Sequence, residues 1–267
     1  MSNLSHNTAL RLVDDLVADG RLHFTFGEAQ QRFGQSPSAT GNLLQRMLTA
    51  GLIDRVRRGH YVIRQLGVLG TPSVAEEVAL AVGAAFAGIP HRMAYRTALD
   101  EHDLIAHPAR SIYVATPRRI RAKTLSGRPL HIVREPESDI SVGAIACGIS
   151  WISGLERALL DAAMRPNLVG GAAVMAEAIA TASNRIDVSA LTHYAQDLGW
   201  TAALRRIGSI ADALEVEGLA GRLQPLKPLT ADLDLEPGVN MPRVWRDARW
   251  RVRWPQSPAE VASVAKQ

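Results

Sequence analysis

The chain has 267 residues, of which 47% are hydrophobic and 21% charged, a composition typical of a globular protein long enough for two domains. Its net charge is +4, and its one cysteine, Cys147, excludes an internal disulfide and argues against a structural zinc site. No apolar run is long enough to span a membrane, and the N-terminus lacks the basic and apolar segments of a signal peptide. We therefore expect a cytoplasmic protein with no membrane partner.

The first 34 residues predict two helices joined by a short extended segment. Apolar residues at helical spacing indicate a first helix that ends at Gly20, followed by an extended segment over 22–25. A second, shorter helix is predicted over 26–33 and ends at Gly34. The residues expected on the buried side of the first helix are Leu10, Val13, Leu16 and Val17.

A third helix is predicted to begin at Ser36 and Pro37, because serine caps helices and proline suits the first helical position. Its buried side would consist of Leu43, Leu44, Met47 and Leu48. Its outward side would then carry Ser38, Thr40, Asn42, Gln45, Arg46 and Thr49. Two short helices joined by a tight turn, the second with a polar outer side, are typical of a helix-turn-helix.

The next residues predict a β-hairpin with a basic tip. Residues 52–56 and 61–63 have strand character, and 57–60 (RRGH) form the turn between them. Such a hairpin after a helix-turn-helix is a wing, so residues 1–66 are predicted to be a winged helix-turn-helix domain. The expected partner is DNA, with the third helix in the major groove and the wing on phosphates or in the minor groove. The alternative is a protein-interaction module with solvated arginines.

The residues predicted to contact DNA share exposed positions on the third helix and the wing. Amide and guanidinium groups read base edges in the major groove, and arginine and histidine side chains can hold phosphates. The predicted DNA-binding residues are Ser38, Thr40, Asn42, Gln45, Arg46, Arg55, Arg57, Arg58 and His60.

The rest of the chain predicts a larger α+β domain over 73–267, behind a Gly- and Pro-containing linker at 65–72. A small sheet and several helices make up this prediction, so the whole chain is expected to be α+β. The predicted helices are 73–87, 93–102, 153–164, 172–183, 188–198 and 201–215, and the predicted strands are 111–116, 129–134, 143–151 and 249–254.

A basic stretch lies between two of these strands. Residues 110–134 hold seven basic residues and no acidic one. The stretch could extend the DNA contact, could dock an acidic protein surface or bound RNA, or could be a solvated loop. The residues predicted to form a second anionic contact are Arg118, Arg119, Arg121 and Lys123.

Two other groups of polar residues invite catalytic or metal-binding interpretations, and the sequence favours neither. Glu156, Arg157 and Asp161 could include an acid–base pair, but an ion pair between Arg157 and Asp161 one helical turn apart is the simpler interpretation. His102 and His107 lack the spacing of a helical metal site. Cys147 lies in an apolar run and is expected to be buried. We predict no catalytic residues, no metal site and no cofactor.

Tryptophans alternate with arginines near the end of the chain. Over 249–254, Trp250, Val252 and Trp254 would lie on one side of a strand and three arginines on the other. Indole and guanidinium groups together can bind nucleic acid by stacking. The favoured interpretation is an amphipathic edge strand with its aromatic side in the core.

Several stretches, in order along nearly the whole chain, resemble AbiEi-type antitoxins, the predicted transcriptional regulators of abortive-infection operons. The wing 55–62 (RVRRGHYV) resembles the end of that family's winged helix. The other similar stretches are 95–102 (YRTALDEH), 112–116 (IYVAT), 156–161 (ERALLD) with Pro166, Gly170 and Gly171 behind it, 204–208 (LRRIG) and 250–254 (WRVRW). The tail after Trp254 departs from the family's pattern.

The resemblance implies a DNA-binding antitoxin without enzymatic activity. Its winged helix would repress the promoter of its own operon, and its second domain would oppose a co-encoded toxin resembling a nucleotidyltransferase. The alternatives are a ligand-responsive winged-helix regulator with no toxin partner and, less favoured, a nuclease with a DNA-targeting arm.

Overall fold

The computed structural model describes residues 2–64, 74–121, 123–238 and 242–265, so the predicted linker at 65–72 lies outside the described residues. These residues form two compact units. The first comprises the described residues up to Ile89 with 123–129 and 146–151, and the second comprises 90–121, 130–145 and the described residues from Ile152 onward. Helices and strands follow one another along the chain in no regular order, and the strands form three sheets. This arrangement confirms the predicted α+β class. None of the described helices is long and apolar enough to cross a membrane.

The first unit combines helices with a three-stranded antiparallel sheet. The elements are α1 (Ser2–Ala18), β1 (His23–Thr25), α2 (Phe26–Phe33), α3 (Pro37–Thr49), β2 (Ile53–Arg57), β3 (His60–Ile63) and α4 (Val74–Ala85). The strands lie in the order β1-β3-β2; Phe24 lies opposite Tyr61, and a bulge interrupts the β2–β3 pairing between Arg55 and Arg57. A short hairpin within 123–129 pairs β6 (Thr124–Leu125) with the start of β7 (Arg128–Arg134).

The sequence specifies the starts and ends of α2 and α3 by local hydrogen bonds. Thr25 and Glu28 form a reciprocal capping box at the start of α2, and Gly34 ends it with a positive φ of 60°. Ser36 caps α3 by accepting a hydrogen bond from the backbone N–H of Ala39. The predicted second and third helices are therefore both present.

The buried side of α1 differs from the predicted one. Ala9, Leu12 and Leu16 pack into the core of the unit, whereas Leu10 is 39% and Val17 44% exposed. Apolar residues run along two adjacent stripes of this helix, and helical spacing alone does not choose between them. The choice comes from packing against α2 and α3, which the local sequence does not contain.

In the second unit, strands β7, β5, β4 and β9 lie side by side in that order. Neighbours β7–β5 and β4–β9 are parallel, and β4–β5 is antiparallel. The elements from Pro90 to Ser153 are β4 (Arg92–Met93), α5 (Arg96–Glu101), β5 (Ile112–Thr116), α6 (Glu137–Ile140), β8 (Ala144–Cys147) and β9 (Ser150–Ser153). The later ones are α7 (Leu155–Met164), a 3₁₀ turn (Pro166–Leu168), α8 (Ala172–Ala182), α9 (Val188–Asp197), α10 (Thr201–Ala213), β10 (Leu233–Asp234), β11 (Trp245–Asp247), β12 (Val252–Trp254) and α11 (Pro258–Ala265).

Two predicted elements of this part of the chain each divide in two. The predicted helix 93–102 begins as strand β4, and α5 starts only after Tyr95, whose φ of 54° interrupts the backbone. The predicted strand 143–151 is a pair, β8 and β9, because Gly148 with a φ of 56° turns the chain between them.

The last predicted strand has its aromatic side in the core but does not lie at a sheet edge. β12 is the central strand between β10 and β11, so the prediction of an edge strand is wrong. Trp250 and Trp254 are fully buried, as the favoured interpretation required. Gly208 on α10 permits this packing, because a Cβ there would lie 2.2 Å from the Trp250 ring.

Four charged side chains are buried together beside α7. Asp161 Oδ1 accepts hydrogen bonds from Arg157 Nε at 2.8 Å and Arg92 Nη2 at 3.0 Å. Glu135 Oε2 accepts from Arg157 Nη2 at 2.9 Å and Arg92 Nη2 at 3.1 Å. All four side chains are at most 1% exposed. Ser153 Oγ donates to Asp161 Oδ2 at 2.6 Å, so the group holds two cations, two anions and a bridging hydroxyl.

Surrounding groups complete the hydrogen bonding of this ionic cluster. The Tyr95 hydroxyl donates to Glu135 at 2.8 Å, and Arg157 Nη1 donates to the carbonyl oxygens of Asp139 and Val142. Burial raises the pKa of Asp161, but the charges of Arg92 and Arg157 lower it by more, so this pKa lies below its usual range. The carboxylate is therefore ionised although it is buried.

We predict that Asp161→Asn lowers the free energy of unfolding of the second unit by about 3–5 kcal/mol, because two buried guanidiniums would share one remaining carboxylate. Asp197→Asn is the control, since Asp197 lies in the same unit and faces His193 at the surface, where such pairs contribute about 1 kcal/mol or less. Urea unfolding followed by tryptophan fluorescence measures both, because Trp200 lies 4.6 Å from the Arg157 guanidinium. Equal shifts for the two variants would contradict a stabilising role for the cluster.

Candidate nucleic-acid interface

Helix α3 has one apolar and one polar side. Leu43, Leu44 and Met47 are buried against the first unit's core, as predicted, whereas Leu48 is only half-buried against it. The opposite side exposes Ser38, Asn42, Gln45, Arg46 and Thr49. This polar side begins immediately after the turn at Gly34, where α2 ends.

The amides on this polar side are available for an external partner. Arg46 Nε donates to the carbonyl oxygen of Asn42 at 3.3 Å, and Thr49 Oγ1 donates to that of Gln45 at 3.0 Å. Within the described part of the chain, the side-chain amides of Asn42 and Gln45 make no hydrogen bond. An Asn or Gln amide can both donate to and accept from one base edge, which is the chemistry of adenine recognition in the major groove.

Thr40 is not part of this surface, which corrects its assignment as a DNA-binding residue. Its side chain is fully buried, and its hydroxyl donates to the carbonyl oxygen of Ser36 at 3.1 Å. The position lies three, four and seven residues before the buried Leu43, Leu44 and Met47, so it belongs to the same helical side.

The hairpin β2–β3 carries the other predicted contacts. Gly59, with a φ of 77°, lies in the turn, and Arg55 and Arg58 are exposed beside it. The nearby carboxylate of Asp54 is held by both Arg64 Nε at 2.9 Å and Arg64 Nη2 at 2.6 Å. Since Arg64 neutralises Asp54, the positive charges at the hairpin tip face solvent without an acidic neighbour on the hairpin.

Arg57 and His60 are half-buried and belong to a hydrogen-bonded chain that the sequence did not reveal. Arg57 Nη2 lies 2.8 Å from His60 Nε2, and His60 Nδ1 lies 3.1 Å from His23 Nε2. The two imidazoles stack with centroids 5.3 Å apart. A guanidinium only donates, so His60 Nε2 accepts, and a neutral His60 then carries its proton on Nδ1 and donates it to His23. The arrangement requires both rings to be neutral.

The pKa values of both histidines agree with that requirement. Burial and the charge of Arg57 lower the pKa of His60, although Glu28 raises it slightly. Burial, then His60, lower the pKa of His23; Glu28 raises it by less, and Arg21 and Arg57 lower it a little further. His23 shares a strand face with Thr25, which lies opposite His60 in the sheet. Strand alternation would have identified His23 once that pairing was known.

The basic stretch after β5 is at the surface. Arg118, Arg119, Arg121 and Lys123 are all exposed, and none of them pairs with an acidic side chain among the described residues. The backbone N–H of Arg118 donates to Thr116 Oγ1 at 3.3 Å, which fixes the start of the loop. Exposed side chains are expected for an extended DNA contact, for a dock for an acidic protein surface or RNA, and for a solvated loop. All three interpretations of this stretch therefore remain predictions.

The remaining candidate residues have structural surroundings. Arg157 and Asp161 do form the predicted i,i+4 ion pair, but inside the buried ionic cluster. His102 Nε2 lies 2.7 Å from the carbonyl oxygen of Ser153, and the described residues hold no group of three potential metal ligands. Cys147 is half-buried, not buried as predicted, because the β8–β9 hairpin exposes both Ile145 and Ile149.

We predict that the first unit becomes less stable as the pH falls. Because the folded pKa values of His23 and His60 lie below the unfolded value of 6.5, the unfolded chain binds protons first, and stability is lost as the pH drops below that value. Thermal unfolding of the full chain from about pH 7.5 to about pH 5.5 tests this. The double variant His23→Gln, His60→Gln should lose less stability over that window than the wild type. The exposed His193→Gln is the control, and parallel curves for all three proteins would refute the prediction.

Comparison with known proteins identifies a fold but no family. No family model matches the chain, and no curated protein matches it. The fold is similar to that in the crystal structure of the RV2827C protein from Mycobacterium tuberculosis, with a TM-score of 0.68 and 15% sequence identity. The similarity covers 98% of this chain and 95% of that one. At this level of identity, the two proteins share a fold over nearly their whole lengths.

Proposed function

We propose that the described part of residues 1–66 is a winged helix-turn-helix and that the protein is a cytoplasmic DNA-binding transcriptional regulator. The observation that carries this proposal is the exposed polar side of α3 next to a hairpin tip whose acidic neighbour is already neutralised. Asn42, Gln45 and Arg46 supply the groups that read base edges, and Arg55 and Arg58 supply cations for phosphates. Arg55 and Arg58 are exposed with no acidic neighbour left unpaired on the hairpin, which favours an anionic partner over a protein surface.

Duplex DNA binding should depend on salt through the hairpin arginines. Fluorescence anisotropy with the duplex upstream of the protein's own gene, titrated between about 50 and 200 mM salt, measures the slope of log K against log salt. Arg55→Ala with Arg58→Ala should weaken binding several-fold and reduce the slope by about 2, because two phosphate contacts are lost.

The matched control for that measurement is Arg222→Ala. Arg222 is an exposed arginine of the second unit, and among the described residues its guanidinium donates to the carbonyl oxygen of Gly218 alone, so its removal changes the charge with one local hydrogen bond. Arg222→Ala should leave the salt slope unchanged. If the hairpin double variant keeps the wild-type slope, the hairpin does not contact phosphates.

We infer further that the regulator is the antitoxin of a toxin–antitoxin pair and represses its own operon. Support comes from the resemblance to AbiEi-type antitoxins, whose similar stretches run through both units in order. A co-encoded nucleotidyltransferase-like toxin is then the partner that the second unit opposes. The rival function is a ligand-responsive regulator without a toxin partner.

Co-expression with the adjacent gene separates these two functions. Growth is scored for the neighbour alone, with the full chain, and with the full chain carrying Arg55→Ala and Arg58→Ala. An antitoxin should restore growth in both cases, because the hairpin variant binds DNA more weakly but leaves the second unit unchanged. A harmless neighbour, or toxicity that the full chain leaves unrelieved, would favour the ligand-responsive regulator.

A further inference from the structure

The small sheet β10-β12-β11 carries a row of arginines on its solvent side. Two aspartates each accept hydrogen bonds or ion pairs from two guanidiniums, at distances between 2.8 and 3.0 Å. Each aspartate therefore faces two guanidiniums. The pairs are Asp232 with Arg246 and Arg251, and Asp234 with Arg243 and Arg253.

An open groove of about 510 Å³ lies beside this sheet, between the segment 225–229 and residues 248–251. One wall is apolar, formed mainly by Pro225, Leu226 and Leu229. The cations of the groove are Lys227, Arg249 and Arg251.

The two arginines of the groove are held in place by hydrogen bonds to aspartates and to backbone carbonyl oxygens. Arg251 Nε donates to Asp232 at 2.8 Å and its Nη1 to the carbonyl oxygen of Leu229 at 3.1 Å. Arg249 Nη1 donates to Asp212 at 2.7 Å and its Nη2 to the carbonyl oxygen of Leu223. Fixed guanidiniums lose little conformational entropy when a ligand arrives, which favours binding.

Lys227 differs from these arginines because its ammonium group is uncompensated. The side chain is exposed and makes no hydrogen bond or ion pair with any described residue. Asp212 and Asp232 offset Arg249 and Arg251, and Asp232 is shared further with Arg246. The groove therefore offers at least one full positive charge to a ligand, together with the unused N–H groups of its arginines.

We propose that this groove binds a small nucleotide, with its phosphate group at Lys227, Arg249 and Arg251 and its base along the apolar segment 225–229. Lysine holds phosphate as a point charge, and guanidinium donors suit phosphate oxygens. The apolar wall beside the cations favours a ligand that joins a ring to its phosphates over a bare phosphate. The groove contains no residue of α3 or of the β2–β3 hairpin, so nucleotide binding can be tested independently of DNA binding.

Isothermal titration calorimetry of the full chain with ADP tests the proposal, with adenosine and inorganic phosphate as the partial ligands. ADP should bind saturably and more tightly than either partial ligand. Lys227→Ala should weaken ADP binding about tenfold, the effect of one lost charge-assisted hydrogen bond. Arg185→Ala is the control, because Arg185 is an exposed cation of the same unit that lies outside the groove.

Two outcomes would overturn the proposal. They are the absence of saturable binding by ADP, and equal ADP affinities of the wild type and Lys227→Ala, whatever the variant does to duplex DNA. The hairpin double variant Arg55→Ala, Arg58→Ala should retain ADP binding. Its behaviour distinguishes a failure of this groove from a failure of the DNA-binding proposal.

Discussion

The carboxylate of Asp161 is completely buried, and it can remain ionised only because two guanidiniums reach it from different elements. Arg157 lies one turn away on α7, whereas Arg92 comes from β4. Glu135, just after β7, balances the second positive charge. Removing any one of these groups would leave a buried charge without its partner, which folding tolerates poorly. The positions of β4, β7 and α7 in the second unit are therefore tied to one another electrostatically as well as by apolar packing.

The sequence alone indicated only the local half of this cluster. Arg157 and Asp161 are four residues apart, so their pairing follows from helical geometry. Arg92 is 69 residues from Asp161, and nothing in its neighbourhood distinguishes it from a surface arginine. Tyr95 likewise has a positive φ that the local sequence does not predict, and its hydroxyl donates a hydrogen bond to Glu135. The conformations of Arg92 and Tyr95 depend on contacts with residues distant in sequence, not on local helix propensity. For this reason the prediction of a helix over 93–102 was wrong at its start.

In the first unit, local rules predicted more. The ends of α2 and α3 follow from local sequence signals. These signals are the capping residues Thr25 and Ser36 and the glycine Gly34 with its left-handed backbone. The prediction for Thr40 was wrong. A threonine side chain is polar, so we predicted that it would be exposed, but it is also small enough to pack on the buried side of α3. His23 was missed because its partner lies on another strand. Most of the candidate DNA contacts are exposed as predicted, but the burial of Thr40 and the hydrogen bonds that restrain Arg57 and His60 were not predictable from local sequence.

The central claim is that α3 and the β2–β3 hairpin together contact DNA, and hydrogen–deuterium exchange of the full chain tests it most directly. Exchange is compared with and without the duplex upstream of the protein's own gene, at a concentration that saturates binding. The account predicts slower exchange within Pro37–Thr49 and around the hairpin turn at Gly59, with little change in α7. Saturated binding that protects only the second unit, or no segment of the first, would contradict it.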